Sequence, residues 1–291
     1  MQLAVAGALF GIEVLVVGQL MYDVLLPSFI AGITAYEVSS NLGISYFYSS
    51  LNFSPVFSEF FFVKVLLSGL FFGIISFIMI ETFRVIKFIF IKAKQAWWLN
   101  ALISGILVAI PALFLGTKYL GLGLNSIESV LNGGQAAWYD PLLKIIFTSI
   151  TLGAGGSGGV ITPIFFVGTT AGSLFSAIAG VDPSTFAAIG MVALLAGAAN
   201  TPIAASIMSI ELFGPKLAPY AAVSCIISYL MTGHRSIYPS QLLGISKSRS
   251  LETEVGKEIS AIKTSSSKLV SIMEGIKIKI ISVFKNTKRD K

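Results

Sequence analysis

Residues 152–168 read LGAGGSGGVITPIFFVG, and no other stretch limits the fold so tightly. Five glycines and a serine stand directly before a Pro-bearing apolar run. Glycine costs about 1 kcal/mol per residue relative to alanine in a helix interior, so this segment does not carry a helix through lipid. At membrane depth, non-helical backbone survives only where it is buried in protein or lines a water-filled cavity. Glycines let backbone amides approach a ligand, and the helix that follows aims its positive dipole end at the gap. The expectation is an anion site built from main chain.

Composition places that stretch in a membrane. Of 291 residues, 55% are hydrophobic and only 12% charged, about half the charge fraction of a soluble domain. The chain therefore reads as an integral membrane protein of α-helical type. A single cysteine, Cys225, excludes a disulfide framework and a cysteine-based metal centre. A single histidine, His234, removes most zinc and dyad chemistries, and no cofactor is expected. The net charge of +6 belongs to the end of the chain, where residues 247–291 hold eleven Lys/Arg against five Asp/Glu. Two regions follow: a transmembrane domain over 1–243 and a basic tail over 244–291. The positive-inside rule makes the tail cytoplasmic, with anionic lipid rather than nucleic acid as its partner. Residues 259–284 are amphipathic with interleaved lysines, which predicts a surface helix on lipid.

Along the chain, apolar helices are expected over 27–48, 57–90, 99–115, 186–199, 202–213 and 217–231, with a break at 52–55, while 140–152 leads into the glycine stretch. Residues 1–20 look like a chain entered part-way through a helix. Arg84, Lys87, Lys92 and Lys94 form a second cytoplasmic marker, and Trp97 and Trp98 an interfacial pair. Residues 116–134 are too polar to span and predict a short helix in a loop. Several helices are too short to cross a membrane alone and are broken by Gly, Asn and Pro, as at Asn200-Thr201-Pro202. Discontinuous helices of this kind belong to transporters whose site lies near the midplane. There is also an internal echo. Residues 5–14 read VAGALFGIEV and residues 203–212 read IAASIMSIEL, placing Glu13 and Glu211 at the same point. Ionisable groups in membrane segments are expensive and rarely idle. These two are expected to accept hydrogen bonds from nearby helix ends rather than to carry protons.

Several motifs, in order, resemble the CLC family of chloride channels and proton–chloride antiporters. GSGGVITPIFFVGTTAGSLF resembles that family's Gly-Φ-Φ-x-Pro anion motif and following helix. GMVALLAGAANTPIAASIMSIEL resembles the paired short helices after it, and TGHRSIYPSQL the last helix, whose tyrosine faces the central anion. KYLGLGLNSIESVLNGG is similar to a segment that precedes the motif. The resemblance implies an all-α polytopic membrane protein with broken, short, tilted helices that transports chloride or a similar small anion. It implies an anion held by the amides of Val160 and Ile161, approached through Gly158 and Gly159, and by the hydroxyl of Tyr238. It also implies a homodimer surrounded by lipid.

Two departures qualify that picture. The family's serine loop and Gly-Arg-Glu-Gly-Pro loop have no counterpart here, so the resemblance is to an N-terminally truncated member. A half-site of this kind is expected not to conduct selectively unless a separate chain supplies the missing helices. A non-conducting fragment with a structural or dimerising role is the alternative. Val14 stands where antiporters often carry a second acidic residue, which leans toward uncoupled conduction. A remote competitor is an intramembrane serine protease of rhomboid type. Gly155-Gly156-Ser157-Gly158 fits its serine motif, with His234 as the base.

Overall fold

The computed structural model describes residues 3–43, 58–94, 96–247 and 255–261. They form ten α-helices: α1 (Ala4–Glu13), α2 (Leu25–Asn41), α3 (Glu59–Lys92), α4 (Trp97–Leu115), α5 (Leu124–Leu131), α6 (Asp140–Gly153), α7 (Ile161–Ala179), α8 (Pro183–Ala199), α9 (Pro202–Phe213) and α10 (Ala218–Met231). The only paired strands among the described residues are β1 (Val16–Val17) and β2 (Leu242–Leu243), parallel in the register Val16 to Leu242. The fold is thus a polytopic helical membrane protein. Three helices, α3, α4 and α7, are long and apolar enough to cross a bilayer, and α1, α8, α9 and α10 are shorter apolar helices.

The opening apolar stretch does not run as one helix. It ends at Glu13, and the β-branched pair Val16–Val17 turns extended before Gly18, whose φ of 84° stops the segment. The helix expected over 27–48 starts two residues earlier, at Leu25, and ends at Asn41. Its last expected residues, and the break at 52–55, lie outside the described residues. The long helix runs 34 residues, about 50 Å at ~1.5 Å per residue, well beyond a ~30 Å hydrocarbon layer.

The centre of the fold is α8, flanked by α3, α7, α9 and α10. Every residue from Thr185 to Ala199 is buried, so this helix has no polar face and no lipid face. Asp182 starts it by accepting the Thr185 amide at 2.8 Å, with Pro183 in the first turn. Helices in lipid associate through close packing rather than a hydrophobic drive, which favours small residues where they cross. That is how α7 meets α8. A β-carbon at Gly172 would overlap the Phe186 carbonyl, and one at Gly168 the Gly190 carbonyl.

The echo between 5–14 and 203–212 is a structural repeat. Glu13 accepts the Ile203 and Ala204 amides at 3.0 and 2.7 Å, opening α9. Glu211 accepts the Val5 and Ala6 amides at 3.1 and 2.9 Å, opening α1. Each helix end is capped by the carboxylate that closes the other, as expected for both residues.

Part of the segment read as a tail returns to this body. The Leu243 amide donates to Lys257 and the Gly256 amide to Leu243, at 3.0 and 2.7 Å, and Leu242 bridges Glu258 in antiparallel sense. Ile259 is buried with Val17 and Leu243. Residues 259–261 form a single 3-10 turn, and the rest of the expected amphipathic helix lies outside the described residues.

Gly172→Ala is expected to lower stability by roughly 1–3 kcal/mol or more, because the obstruction is backbone. Gly105→Ala on α4, where a β-carbon meets nothing within 4 Å, should be neutral or stabilising by up to about 1 kcal/mol. Thermal unfolding of the two variants in one detergent checks the contrast.

Candidate anion site

The glycine stretch leaves helix geometry where its composition requires. α6 ends at Gly153, and Gly155 adopts φ 96°. The Gly156 amide closes back on the Thr151 carbonyl at 2.9 Å. Gly158 and Gly159 are exposed, while Val160 and Ile161 are half-buried. Val160 stands at the N-cap with helical backbone, and Ile161 is the first residue of α7. No side-chain oxygen caps this end, and no acidic residue lies in the first turn. Pro163 has no amide hydrogen to satisfy. The N-terminal amides of α7 and its dipole therefore face the glycine loop without a competing carboxylate.

Tyr238 lies beyond α10, half-buried, with its ring edge-on to Phe10 at a centroid distance of 6.5 Å. Burial raises its phenol above the ordinary range, which keeps it a neutral O–H donor at physiological pH. Its side chain and that of Val160 both pack against the main apolar core, a cluster that draws on α1 and on α3 to α10.

What the sequence did not single out is the frame around Tyr238. Its amide donates to Ser236 Oγ at 2.9 Å, and its carbonyl accepts the Gln241 amide at 3.2 Å. The Ile237 amide donates to the Ala198 carbonyl at 2.9 Å, tying the loop to the end of α8. Asn200, left-handed at φ 60° between α8 and α9, donates to the Arg235 carbonyl at 2.9 Å and to Gln241 Oε1 at 3.0 Å. Gln241 Nε2 donates to Val14 and Ala199 carbonyls at 2.6 and 2.8 Å. Arg235 reaches α3, with Nε 2.9 Å from Glu81 Oε1 and the guanidinium 4.7 Å over the Phe77 ring. The loop is thus fastened to α1, α3 and α8. Only Asn200-Thr201-Pro202 hinted at this, as a break whose first residue tolerates a left-handed conformation.

The residues of the protease reading are placed differently. Ser157 stands in the exposed loop. His234 is buried, and its Nε2 lies 3.3 Å from both Ser246 Oγ and the Lys247 amide. The ring nitrogen that would activate a nucleophile is thereby engaged with the chain after β2.

Comparison with known proteins follows this geometry. Residues 2–233 match the family model described as voltage gated chloride channel. A chloride/fluoride channel protein of Pseudomonas syringae pv. tomato is 37% identical over 250 residues, covering 83% of this chain and 55% of its own length. A voltage-gated ClC-type chloride channel ClcB of Escherichia coli is 27% identical over 250 residues, covering 80% and 59% respectively. The crystal structure of a CLC-type fluoride/proton antiporter superposes with a TM-score of 0.75 at 30% identity, over 81% of this chain and 60% of that one. A slow cyanobacterial Cl−/H+ antiporter shares the fold at a TM-score of 0.64 and 18% identity, over 79% and 57%. This chain spans little more than half the length of the curated relatives it matches.

The His234 ring carries a pH signal. Burial, then the charges of Lys247 and Arg235, hold its pKa below the ordinary imidazole value. The Glu81 carboxylate is paired with Arg235. Protonation therefore favours the state in which the chain after β2 has let go. Attachment is complete above about pH 6.5, the ordinary value, and weakens as pH falls below it until the depressed native value is passed. His234→Gln keeps an acceptor that does not titrate. Hydrogen exchange at the Lys247 amide, which donates to His234 Nε2, should rise from pH 7.5 to 5 in the parent chain relative to His234→Gln at the same pH.

Proposed function

We propose, on the premise that this chain belongs to the voltage-gated chloride channel family, that its membrane domain carries a small halide, chloride or fluoride. In this reading the anion lies against the amides of Val160 and Ile161, reached past Gly158 and Gly159, and accepts the Tyr238 hydroxyl. The carrying observation is the uncapped start of α7, an apolar helix whose first amides open onto an exposed glycine loop with no acidic residue beside them. A halide stripped of water needs such donors, since an unpaired buried charge costs several kcal/mol. Backbone amides and a phenol bind it without proton transfer, so no covalent chemistry is required. The tail lies on the cytoplasmic side, where its lysines meet anionic lipid.

A donor to a charged group is worth about 1.5–3 kcal/mol, or roughly ten- to a hundredfold in affinity. The test is halide efflux from liposomes holding this chain, alone and co-expressed with the remaining N-terminal helices of the Pseudomonas syringae relative. Tyr238→Phe should lower efflux or halide affinity by about tenfold or more. An unchanged Tyr238→Phe variant would remove Tyr238 from the site. Stoichiometric proton uptake during efflux marks an antiporter, and efflux without it a channel.

The assembled unit in this reading is a homodimer through α1, α2, α9 and α10. No residue of α2 is buried within one copy, and Ile30, Ile33, Ile203, Ile210, Ile226 and Leu230 stand exposed on these helices. Small and apolar faces of this kind associate in lipid by close packing. Cross-linking in mild detergent should trap a dimer. Monomer alone at high protein concentration would contradict it.

A further inference from the structure

The chain that follows β2 is more than an exit from the membrane domain. Residues 244–247 and 255–261 form a strap beneath the Tyr238 loop. The Ile259 amide donates to the Gln241 carbonyl at 2.8 Å and the Ser260 amide to the Pro239 carbonyl at 3.0 Å, so the strap grips the loop on the C-terminal side of the tyrosine. At its other end, Lys247 turns inward. Its Nζ donates to Asn200 Oδ1 at 2.5 Å, to the Tyr229 carbonyl at 2.8 Å and to Thr232 Oγ1 at 3.2 Å. The Thr232 hydroxyl proton is already given to the Tyr229 carbonyl at 2.9 Å, so Oγ1 turns a lone pair to the lysine. The Tyr229 ring covers the remaining side, its centroid 4.0 Å from Nζ. Burial and the Arg235 charge lower the Lys247 pKa well below the ordinary lysine value. Three acceptors and an aromatic face nevertheless fit the ammonium and not the neutral amine, whose lone pair would be set against an acceptor.

That cation works with the Arg235 carbonyl, which can only accept, to set the Asn200 side chain. An amide can be turned either way, and only its partners decide. With Oδ1 on the ammonium, Nδ2 faces the Arg235 carbonyl and Gln241 Oε1, the two bonds that fasten the Tyr238 loop to the α8–α9 turn. Turned over, Asn200 would set an oxygen against both acceptors. We propose that Lys247 is a positioning residue: its ammonium orients Asn200, and the C-terminal strap thereby sets the geometry of the loop that carries Tyr238. The inference rests on the halide reading for its transport consequence only.

The experiment uses the full chain in detergent and in liposomes. Lys247→Ala is expected to raise hydrogen exchange of residues 234–241 by about tenfold or more, with exchange in α8 unchanged. Ethylammonium, a stand-in for the lysine head group, should restore protection, and tetramethylammonium, which has no N–H donor, should not. Unchanged exchange in Lys247→Ala, or equal rescue by both cations, overturns the proposal. Asn200→Asp supplies a second arm if Lys247→Ala does not fold. It keeps an oxygen for the ammonium but removes the Nδ2 donors, so 234–241 should loosen while 255–261 stays protected. A loop that stays protected in Asn200→Asp overturns the proposal equally. In liposomes, efflux should fall in Lys247→Ala and return with ethylammonium. A parent chain with no efflux even when co-expressed with the N-terminal helices of the Pseudomonas syringae relative defeats the halide reading alone, since the exchange arms still judge Lys247.

Discussion

The fold depends on two carboxylates placed where a membrane protein can least afford uncapped amides. α1 and α9 are short apolar helices, and each opens with orphan N–H groups that lipid cannot satisfy. Glu211 closes α9 and caps α1, and Glu13 closes α1 and caps α9. Because each helix begins where the other ends, the pair must run antiparallel. The charges of the carboxylates meet the positive ends of both dipoles, so the donors and the acceptors are satisfied together. Val5, Ala6 and Glu13 correspond residue by residue to Ile203, Ala204 and Glu211. The cap is thus a property of the repeat, made twice by one arrangement.

Other contacts take their bearings from this pair. α2 leans on α1 so closely that Gly32 faces the Ala4 carbonyl, and α10 packs along α9. α10 in turn meets α3 through Gly69 and Gly73, which leave room for Ile227 and Met231. Between these layers α8 is buried on all sides, and its Ala and Gly content is what permits so many neighbours at once. The end of α8 then delivers Asn200, and the end of α1 delivers the Val14 carbonyl, to one polar hub. Gln241 joins both, so the Tyr238 loop is held by the two halves of the repeat together. A polar hub is tolerable here because its donors and acceptors find partners.

Much of this was legible in the chain. The apolar runs, Pro183 and Pro202 in first turns, and the Asn200 break placed five helices, α3, α4, α8, α9 and α10, within a few residues of both ends, since these signals act locally. The repeat of Ile-Glu was visible because a symmetric structure uses the same residues twice. The glycine loop announced itself through backbone freedom, which is also a local property. The strand after α1 was not legible. Val16–Val17 is as apolar as the helix before it, and only β2, more than two hundred residues later, makes it extended.

The candidate site divides along the same line. Gly158, Gly159, Val160 and Ile161 adjoin in sequence, so their place at the start of α7 is a matter of local helix physics. The support of Tyr238 is not. Glu81 reaches Arg235 across 154 residues, Val14 reaches Gln241 across 227, and Lys247 meets Asn200 across 47. No local propensity encodes such pairs, because each depends on where separate helices come to rest. The sequence by itself determined a helical membrane body, its repeat and its glycine loop, through hydropathy and backbone preference. Tertiary structure alone decided which buried polar groups would meet, because in lipid a donor takes whatever acceptor packing brings to it.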